Sequence, residues 1–455
     1  MLTLNLQLIL RTLSSIKILQ LNGLFKLDLN SNIVLNEVQR LRDKRYAADA
    51  LKLLLNSAWP YSEPRAWLLR GTLEHQLGKY NDAILSLSLA SAYNELHFSA
   101  AYHLGEVHRS LGQFDQAAAW FLAALHIDPT HRYSHNSLQF TRFSIDLLPR
   151  VIESYREFVN SAPSFVLAAQ LLAHYLLKNG QIEEAISINR HASRLSFEPA
   201  SISLSPINSS LSLPNFIIIG VPKGGTSSLL GWLATHPKLW CHPRKELHFF
   251  DGDWPHGAAW YSSHFPLFDS HLDIRCGEAT PNYFQLPACP RRIKELIPSV
   301  RLIILLRDPL QRALSWLYHL QRFEGLVGNP SELLENELDG LESLETSILT
   351  SSGFRWPNAI HGSCYNVPLR RWLNLFPPEQ LLVLRSELLF KSPESSLMHV
   401  ADFIGVDKNW NWAELNPFNV NPLPYSQLPD HLIERMNVFF EIHSGWAINQ
   451  AISAF

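Results

Sequence analysis

The chain has 455 residues, of which 46% are hydrophobic and 17% charged, a balance typical of folded globular proteins rather than disordered ones. At about 100–200 residues per domain, this length predicts two or three domains. The formal net charge of -3 argues against broad binding to nucleic acid or to anionic membranes, but it leaves room for a local basic pocket.

The first 30 residues are rich in leucine and isoleucine, but charged side chains interrupt each apolar run before it reaches the roughly 20 residues that span a bilayer. The segment also lacks the pattern of a secretory signal. The 4 cysteines contain no CxxC pair, which disfavours a disulfide framework or a zinc site. We therefore expect no transmembrane segment and a cytoplasmic location, and we leave open a weak association of this end with a membrane or a partner helix.

The first half of the chain repeats with a period of 34 residues. Residues of one copy recur in the next, and the pairs are Gly71 and Gly105, Leu77 and Leu111, Gly78 and Gly112, Tyr80 and Phe114, Ala83 and Ala117, and Ala90 and Ala124. A later copy, 68 residues further on, keeps Ala173, Gly180, Ile182, Ala185 and Ala192. The copy between them is degenerate but keeps the period, since Pro163 lies 34 residues after Pro129.

This pattern resembles the tetratricopeptide repeat, in which large and small residues alternate along two antiparallel helices. Gly78, Gly112 and Gly180 stand where the first helix of a copy must end, and glycine readily adopts the left-handed backbone that such a turn requires. Pro129 and Pro163 would end the second helix of their copies. The pattern therefore predicts an all-α solenoid, which serves either as a scaffold or as a groove that docks a protein partner.

A stretch rich in serine and proline, residues 198–215, interrupts the helical period. We therefore predict a helical repeat domain over residues 1–200, a linker over 201–215 and a second domain over 216–455. The sequence does not identify what the repeats bind.

A short apolar run, Phe216–Ile219, precedes the sequence Gly-Val-Pro-Lys-Gly-Gly-Thr-Ser-Ser at 220–228. A strand, a glycine loop and a helix in this order hold phosphate groups with backbone amides and a helix N-terminus. The loop differs from the motif of nucleoside triphosphatases, because Lys223 lies three residues before Thr226 instead of next to it. The pattern favours a phosphorylated ligand but disfavours a kinase or an ATPase.

A second buried strand is predicted over Arg301–Leu306, followed by Arg307, an N-cap signal at Asp308 and Pro309 at the first helical position. Ligands of open α/β sheets lie beyond the carboxyl ends of the strands, so we expect Arg307 and Lys223 to border the same crevice. For this half we predict an α/β fold with a P-loop-like parallel sheet flanked by helices.

Two further segments carry ionisable groups. In Lys245–Asp251, Glu246 and His248 alternate with apolar residues and would face the same side of an extended stretch. The turn-rich segment Gly277–Phe284 carries one carboxylate, Glu278, which would anchor its loop or orient an acceptor.

In this order, these four segments resemble the sulfotransferases that use 3′-phosphoadenosine 5′-phosphosulfate (PAPS) as donor, and most of all the heparan sulfate branch. The resemblance covers about residues 215–410. It implies transfer of a sulfuryl group from PAPS to a hydroxyl or amine of a glycan, glycolipid, metabolite or protein, with PAP as product. It implies no metal and no nucleic-acid partner.

The resemblance also implies roles for single residues. Lys223, Glu246 and His248 are the expected catalytic residues, since lysine would stabilise the leaving phosphate and either Glu246 or His248 would accept the proton of the acceptor. Burial is expected to raise the pKa of Glu246 towards a useful range. Arg312 is expected to serve the structure. The expected donor-binding residues are Lys223, Gly224, Gly225, Thr226, Ser227, Arg307 and Ser315.

Two features depart from the heparan sulfate branch. Ala279 stands where that branch usually has a lysine, and its C-terminal Lys-Gly-Arg loop has no counterpart over residues 418–455. The resemblance therefore does not imply a heparan-type acceptor. One alternative function is a repeat-based adaptor whose second half binds nucleotide without catalysis, and another is a phosphotransferase on a P-loop fold.

Overall fold

The computed structural model describes residues 31–43, 46–57, 63–196, 211–266, 273–324, 326–344, 358–412, 415–418 and 428–451. The first 30 residues and most of the predicted linker, residues 201–210, lie outside this part of the chain. The chain divides into two compact units, Met1–Leu147 and Leu148–Phe455. In the described ranges, no helix is long and apolar enough to cross a membrane.

In the described residues of the first unit, all regular secondary structure is helical. Its helices are α1 Ser31–Asp43, α2 Ala47–Asn56, α3 Pro64–Gln76, α4 Tyr80–Ser91, α5 Asn94–Ser110, α6 Phe114–Ile127 and α7 Arg132–Gln139.

Glycines set the turns of the repeat helices, as the sequence predicts, and they also allow these helices to approach closely. Gly78 and Gly112 have φ angles of 72° and 70°, in the left-handed region. A Cβ at Gly105 would lie 2.5 Å from the ring of Phe121, so α5 and α6 approach too closely for any side chain there. The predicted alanine positions of these copies are buried.

The degenerate copy keeps the period but not the helix lengths. Its first helix, α7, has 8 residues where α5 has 17. Its second helix belongs to the second unit, so the boundary between the compact units falls inside this copy. The division at residues 1–200, 201–215 and 216–455 stays a prediction about domains.

The second unit opens with three helices of the repeat region, α8 Leu148–Ser161, α9 Val166–Lys178 and α10 Ile182–Leu195. Its strands are β1 Phe216–Gly220, β2 Leu239–Cys241, β3 Arg275–Ala279, β4 Arg301–Leu306 and β5 Leu381–Arg385. Its other helices are α11 Thr226–Leu233, α12 Gly257–Ser263, α13 Cys289–Leu296, α14 Pro309–Phe323, α15 Pro330–Glu342, α16 Asn366–Leu373, α17 Ser386–Lys391, α18 Pro393–Ile404 and α19 Asp430–Gln450.

The five strands form one parallel sheet in the order β2-β3-β1-β4-β5. In its central register, Phe216 of β1 pairs with Gly277 of β3 and with Arg301 of β4. Strand β1 is buried along its whole length, as expected for a parallel strand covered by helices on both faces. These features confirm the predicted fold class of both halves.

The sheet topology places the predicted loops at one edge. Strands β1 and β4 are neighbours and parallel, so the segments that follow them leave the sheet at the same end. Asp308 caps α14, its side chain accepting a hydrogen bond from the Gln311 amide at 2.9 Å, and Pro309 is the first helical residue. The N-cap signal at Asp308 and the proline after it therefore predicted the start of α14 correctly.

Candidate active site

The glycine loop between β1 and α11 is shaped by close backbone contacts. Lys223 and Gly225 have φ angles of 69° and 95°. A Cβ at Gly224 would lie 2.7 Å from the carbonyl oxygen of Leu305 and 2.9 Å from that of Val221, so only glycine fits without a shift of the loop. The bare backbone leaves amide groups at the N-terminus of α11, an arrangement suited to phosphate.

The carboxyl end of β4 meets this loop. The Nη1 of Arg307 donates a hydrogen bond to the carbonyl oxygen of Lys223 at 3.1 Å, and the Tyr365 hydroxyl donates to the carbonyl oxygen of Arg307 at 3.1 Å. The two loops thus meet at the carboxyl end of the sheet, where the sequence predicts that both border one crevice. The guanidinium of Arg307 is partly exposed and keeps further donors for a ligand.

Arg312 supports the glycine loop through a hydrogen bond from its buried guanidinium. It is fully buried, its Nε donates to the Pro222 carbonyl at 3.1 Å, and its Nη1 donates to the Ala359 carbonyl at 3.1 Å. This agrees with its expected structural role. Ser315 lies half-buried one turn further along α14, on the face that carries Arg312. Thr226 is buried at the start of α11, and Ser227 beside it is half-buried.

The glycine loop lies in a concentration of positive charge. Burial lowers the pKa of Lys223 to about 8, and the neighbouring charges of Lys245, Arg307 and Arg312 act in the same direction, against the opposing effect of Glu246. A lysine whose pKa is lowered by other cations gains from an anionic ligand, because the anion relieves their mutual repulsion.

The segment that carries Glu246 and His248 is not extended, contrary to the prediction. Both residues have left-handed backbones, with φ angles of 63° and 56°. Their side chains nevertheless come together, with 3.7 Å between the Nε2 of His248 and the Oε2 of Glu246. The Nζ of Lys245 donates to the Oε1 of Glu246 at 2.8 Å.

Hydrogen bonds from backbone amides of this left-handed turn to residues at and just after the end of β3 hold the turn in place. The Glu246 amide donates to the Ala279 carbonyl at 3.0 Å, and the Leu247 amide donates to the Thr280 hydroxyl at 3.0 Å. The Phe249 amide donates to the Tyr283 hydroxyl at 3.0 Å. These contacts offset the strain of two non-glycine residues at positive φ.

The structure also corrects the expected pKa of Glu246. Burial alone would raise it, but the Lys245 ammonium and the nearby His248, whose Nε2 lies 3.7 Å from the carboxylate, outweigh burial and hold this pKa well below its usual range. Burial alone would lower the pKa of His248, yet the hydrogen bond to Asp251 and the nearby Glu246 carboxylate raise it to about 10. The pair is therefore a carboxylate beside an imidazolium.

Asp251 is a site residue that the sequence reasoning missed. Its Oδ2 lies 2.8 Å from the Nδ1 of His248, and its side chain is only 8% exposed. The signal was its spacing of three residues from His248, which becomes a contact only because the chain turns there.

Glu278 anchors its loop. It is fully buried, and burial raises its pKa to about 7. The Thr280 hydroxyl donates to its Oε2 at 2.7 Å and the Tyr261 hydroxyl to its Oε1 at 3.3 Å. Because Thr280 also holds the Leu247 amide, this buried carboxyl supports the turn that carries Glu246.

Within the described ranges, no three His, Cys, Asp or Glu side chains are grouped so that they could hold a metal ion. An open groove lined by Asn215, Arg275 and Arg301 lies at the opposite, amino-terminal edge of the sheet, away from the glycine loop.

The chain is similar to known proteins in both halves. Residues 213–419 match the family described as "Sulfotransferase domain", and residues 69–132 match a tetratricopeptide repeat family. The chain is 28% identical over 281 residues to the "Membrane-associated sulfotransferase kil1" of Dictyostelium discoideum, covering 46% of this chain and 59% of that protein. It is 35% identical over 212 residues to the human "Heparan sulfate glucosamine 3-O-sulfotransferase 3B1", covering 45% of this chain and 50% of that protein.

A solved structure, the sulfotransferase from Alicyclobacillus acidocaldarius, is 25% identical with a TM-score of 0.43, covering 54% of this chain and 99% of that one. The chain spans 59% and 50% of the length of the two curated relatives named above. The family matches confirm the resemblance to sulfotransferases over residues 213–419 and the resemblance to tetratricopeptide repeats over residues 69–132.

Proposed function

We propose that this chain, whose residues 213–419 form a sulfotransferase domain, transfers a sulfuryl group from PAPS to a hydroxyl or amine of an acceptor. The observation that carries the proposal is the junction of the two loops, where Arg307 donates to the Lys223 carbonyl at 3.1 Å beside the Glu246–His248 pair. It brings an anion-binding loop, a second cation and a proton-accepting group to one edge of the sheet.

The chemistry of the crevice suits a donor with two separate anionic groups. Lys223 and the amides after Gly224 suit the 5′-phosphosulfate, because a glycine loop at a helix N-terminus and a lysine bind such groups. Arg307 suits the 3′-phosphate, because guanidinium can donate two parallel hydrogen bonds to phosphate oxygens. The donor roles of Gly225, Thr226, Ser227 and Ser315 remain part of this proposal.

In the transfer step, the acceptor oxygen or nitrogen forms a bond to sulfur while the bond from sulfur to the 5′-phosphate oxygen breaks. The electron pair of that bond stays on the phosphate oxygen of PAP, where Lys223 would stabilise the developing charge. The acceptor proton passes to the Glu246 carboxylate. His248, held as an imidazolium by Asp251 and Glu246, keeps this carboxylate ionised and oriented.

The pairing of Lys245 with Glu246 gives the donor a further effect. An anionic group beside Lys223 attracts the Lys245 ammonium, which otherwise donates to Glu246 at 2.8 Å. Withdrawal of that ammonium removes a charge that holds the pKa of Glu246 down, so the carboxylate becomes a stronger base when donor is bound.

For the acceptor we propose a carbohydrate first, because the human relative is named for a heparan sulfate glucosamine. The repeats then act as a scaffold or as the docking surface for the acceptor or a protein partner. The proposed cytoplasmic location rests on the cysteines, none of which is paired. It is tested by fractionation of cells, in which enrichment with membranes, as the name of the Dictyostelium relative suggests, would overturn it.

Calorimetric titration with PAP tests the donor. The wild type should bind PAP and not ATP or ADP, and Arg307→Ala should lose about 2 kcal/mol of binding free energy. Arg291→Ala, at an exposed arginine of α13, is the matched control and should bind as the wild type does. Equal binding of ATP would revive the phosphotransferase alternative.

Transfer of labelled sulfate from PAPS to a panel of desulfated heparan sulfate, a phenol and a tyrosine peptide then separates an enzyme from an adaptor. PAP binding without transfer to any of them, together with no release of sulfate, would favour the adaptor with an inactive second half.

A further inference from the structure

One face of helix α9, in the repeat region, contacts the chain just before the proposed catalytic residues. Gln170 and His174 lie one helical turn apart on this face. The Nε2 of Gln170 lies 3.4 Å from the Nε2 of His242, and the Nη2 of Arg244 donates to the Nδ1 of His174 at 3.0 Å. Helix α9 thus contacts alternate residues of the segment that leads into Lys245.

Arg244 depends on this contact. Its side chain is 2% exposed, and its Nε and Nη1 find no hydrogen-bond partner within the part of the chain that the structure describes. Among the described residues, the hydrogen bond to His174 is therefore the one that holds this buried guanidinium. Loss of one partner of a buried charged group is costly, because the group then remains without compensation or moves to water.

The protonation of His174 fits an acceptor role. Burial, followed by the charge of Arg244, holds its pKa well below the usual value for histidine. A neutral imidazole with its proton on Nε2 offers the Nδ1 lone pair to Arg244. On the other side, the Nδ1 of His242 donates to the Arg244 carbonyl at 2.7 Å, so the residue is held at side chain and backbone.

Helix α10 also contacts the residues around the segment that leads into Lys245. The Nδ2 of Asn189 donates to the Nδ1 of His264 at 2.9 Å, and the rings of His264 and His242 lie 5.2 Å apart. The Nε1 of Trp240 donates to the Ser196 hydroxyl at 3.1 Å. The last helix pair of the repeat region is thus built into the structure around the catalytic segment.

We propose that His174 is a positioning residue for the catalytic segment, acting through Arg244. By holding Arg244 in place, it fixes the point where the chain enters the left-handed turn at Glu246 and His248. The last helix pair of the repeats is then a structural part of the active site. The proposal rests on the proposed function only for its effect on catalysis, since the effect on the turn is independent of it.

Three substitutions at His174 separate its hydrogen bond from its bulk. His174→Ala removes the acceptor. His174→Asn keeps one, because the Oδ1 of asparagine lies near the position of the histidine Nδ1, whereas the oxygen of His174→Gln lies near that of Nε2. His191→Ala, at an exposed histidine of α10, is the control.

Hydrogen exchange of the amides of Glu246, Leu247 and Phe249 is the first readout, because these amides donate to the Ala279 carbonyl, Thr280 and Tyr283. Exchange should be about tenfold faster or more in His174→Ala and His174→Gln, and near the wild-type rate in His174→Asn and His191→Ala. The second readout is labelled sulfuryl transfer from PAPS, in which kcat should fall about tenfold or more in the first two variants while PAP affinity is unchanged.

Unchanged exchange in His174→Ala, or equal exchange in the Asn and Gln variants, would overturn the proposal. The Asn and Gln pair decides the matter even if His174→Ala fails to fold. A wild type that binds no PAP would refute the proposed function, and the exchange result would still decide the role of His174 in holding the turn.

Discussion

At the scale of single residues, opposed charges govern the crevice. Lys223 and Lys245 lie beside one carboxylate, Glu246, which is itself flanked by an imidazolium. An arrangement with this excess of cations is suited to bind a donor with several negative charges before it is suited to remove a proton. Under the proposed function, we therefore expect the donor to bind first and Glu246 to be activated afterwards.

The buried carboxyl of Glu278, which supports the turn at Glu246, gives a testable prediction about stability and pH. Its pKa is raised from 4.5 to about 7, so the folded state binds this proton more tightly than the unfolded state does. Its contribution to stability is therefore full below pH 4.5 and is lost as the pH rises towards 7. Glu278→Gln stays neutral and should gain up to about 3 kcal/mol over the wild type between pH 5 and pH 8.

Urea unfolding of both proteins at the two pH values measures this difference. Glu295→Gln, at an exposed carboxylate of α13, should show no comparable dependence on pH. A stability difference between Glu278→Gln and the wild type that is the same at pH 5 and pH 8 would mean that Glu278 is ionised in the folded chain at both.

At the scale of elements, the sequence predicted correctly those features that depend on interactions between residues close together in the chain. The glycine turns of the repeats, the strand that ends at Leu306 and the cap at Asp308 depend on neighbours within a few residues, and the structure shows them where the sequence predicts them. The turn at Glu246 depends instead on bonds to residues more than thirty positions away, at the end of β3. Alternation of residue types could not reveal it.

The same limit applies to side-chain partners. Asp251 becomes a partner of His248 only through the turn, and His174 lies 70 residues from Arg244 in the chain. The direction of the Glu246 pKa also depends on which charges the turn brings together. The sequence therefore predicted the types of residue in the site, and tertiary contacts decided their arrangement.

The glycine loop supplies a prediction at the scale of an element. A methyl group at Gly224 would lie within 2.9 Å of two backbone oxygens, neither of which is on a flexible side chain, so the loop must move. Gly224→Ala should therefore weaken PAP binding about tenfold or more, since its amides no longer converge on the phosphate.

Gly340→Ala is the matched control, because nothing lies within 4 Å of its added methyl group in α15. It should leave PAP affinity unchanged and stabilise the chain by about 0.5–1 kcal/mol. Calorimetry on both variants measures the effect. Wild-type PAP affinity in Gly224→Ala would show that the donor does not contact this loop.

At the scale of the whole molecule, the repeats divide between two compact units. Helices α8–α10 continue the repeat period but belong to the unit that contains the sheet. Repeat helices stabilise one another through neighbouring contacts, so a solenoid can be cut where one copy is degenerate. The shortened helix α7 is the last α-helix before this boundary among the described residues.

This division predicts the result of two truncations. A chain that starts at Leu148 keeps the whole second unit and should bind PAP within about twofold of the full chain. A chain that starts at Phe216 lacks α8–α10 and leaves Arg244 without the His174 acceptor and Trp240 without its bond to Ser196. It should unfold at lower urea concentration or fail to fold, because a buried charge and apolar surface are left without partners.

Urea unfolding and PAP calorimetry on the two truncated chains and the full chain make the comparison. Equal stability and affinity in the chain that starts at Phe216 would show that the sulfotransferase domain is complete without any repeat helix. Loss of PAP binding in the chain that starts at Leu148 would show instead that the first unit supports the donor site. The expected result would mean that α8–α10 are a structural part of the unit that contains the proposed active site. Helices α1–α7 would then be the part of the solenoid that can bind a partner without contributing to this site.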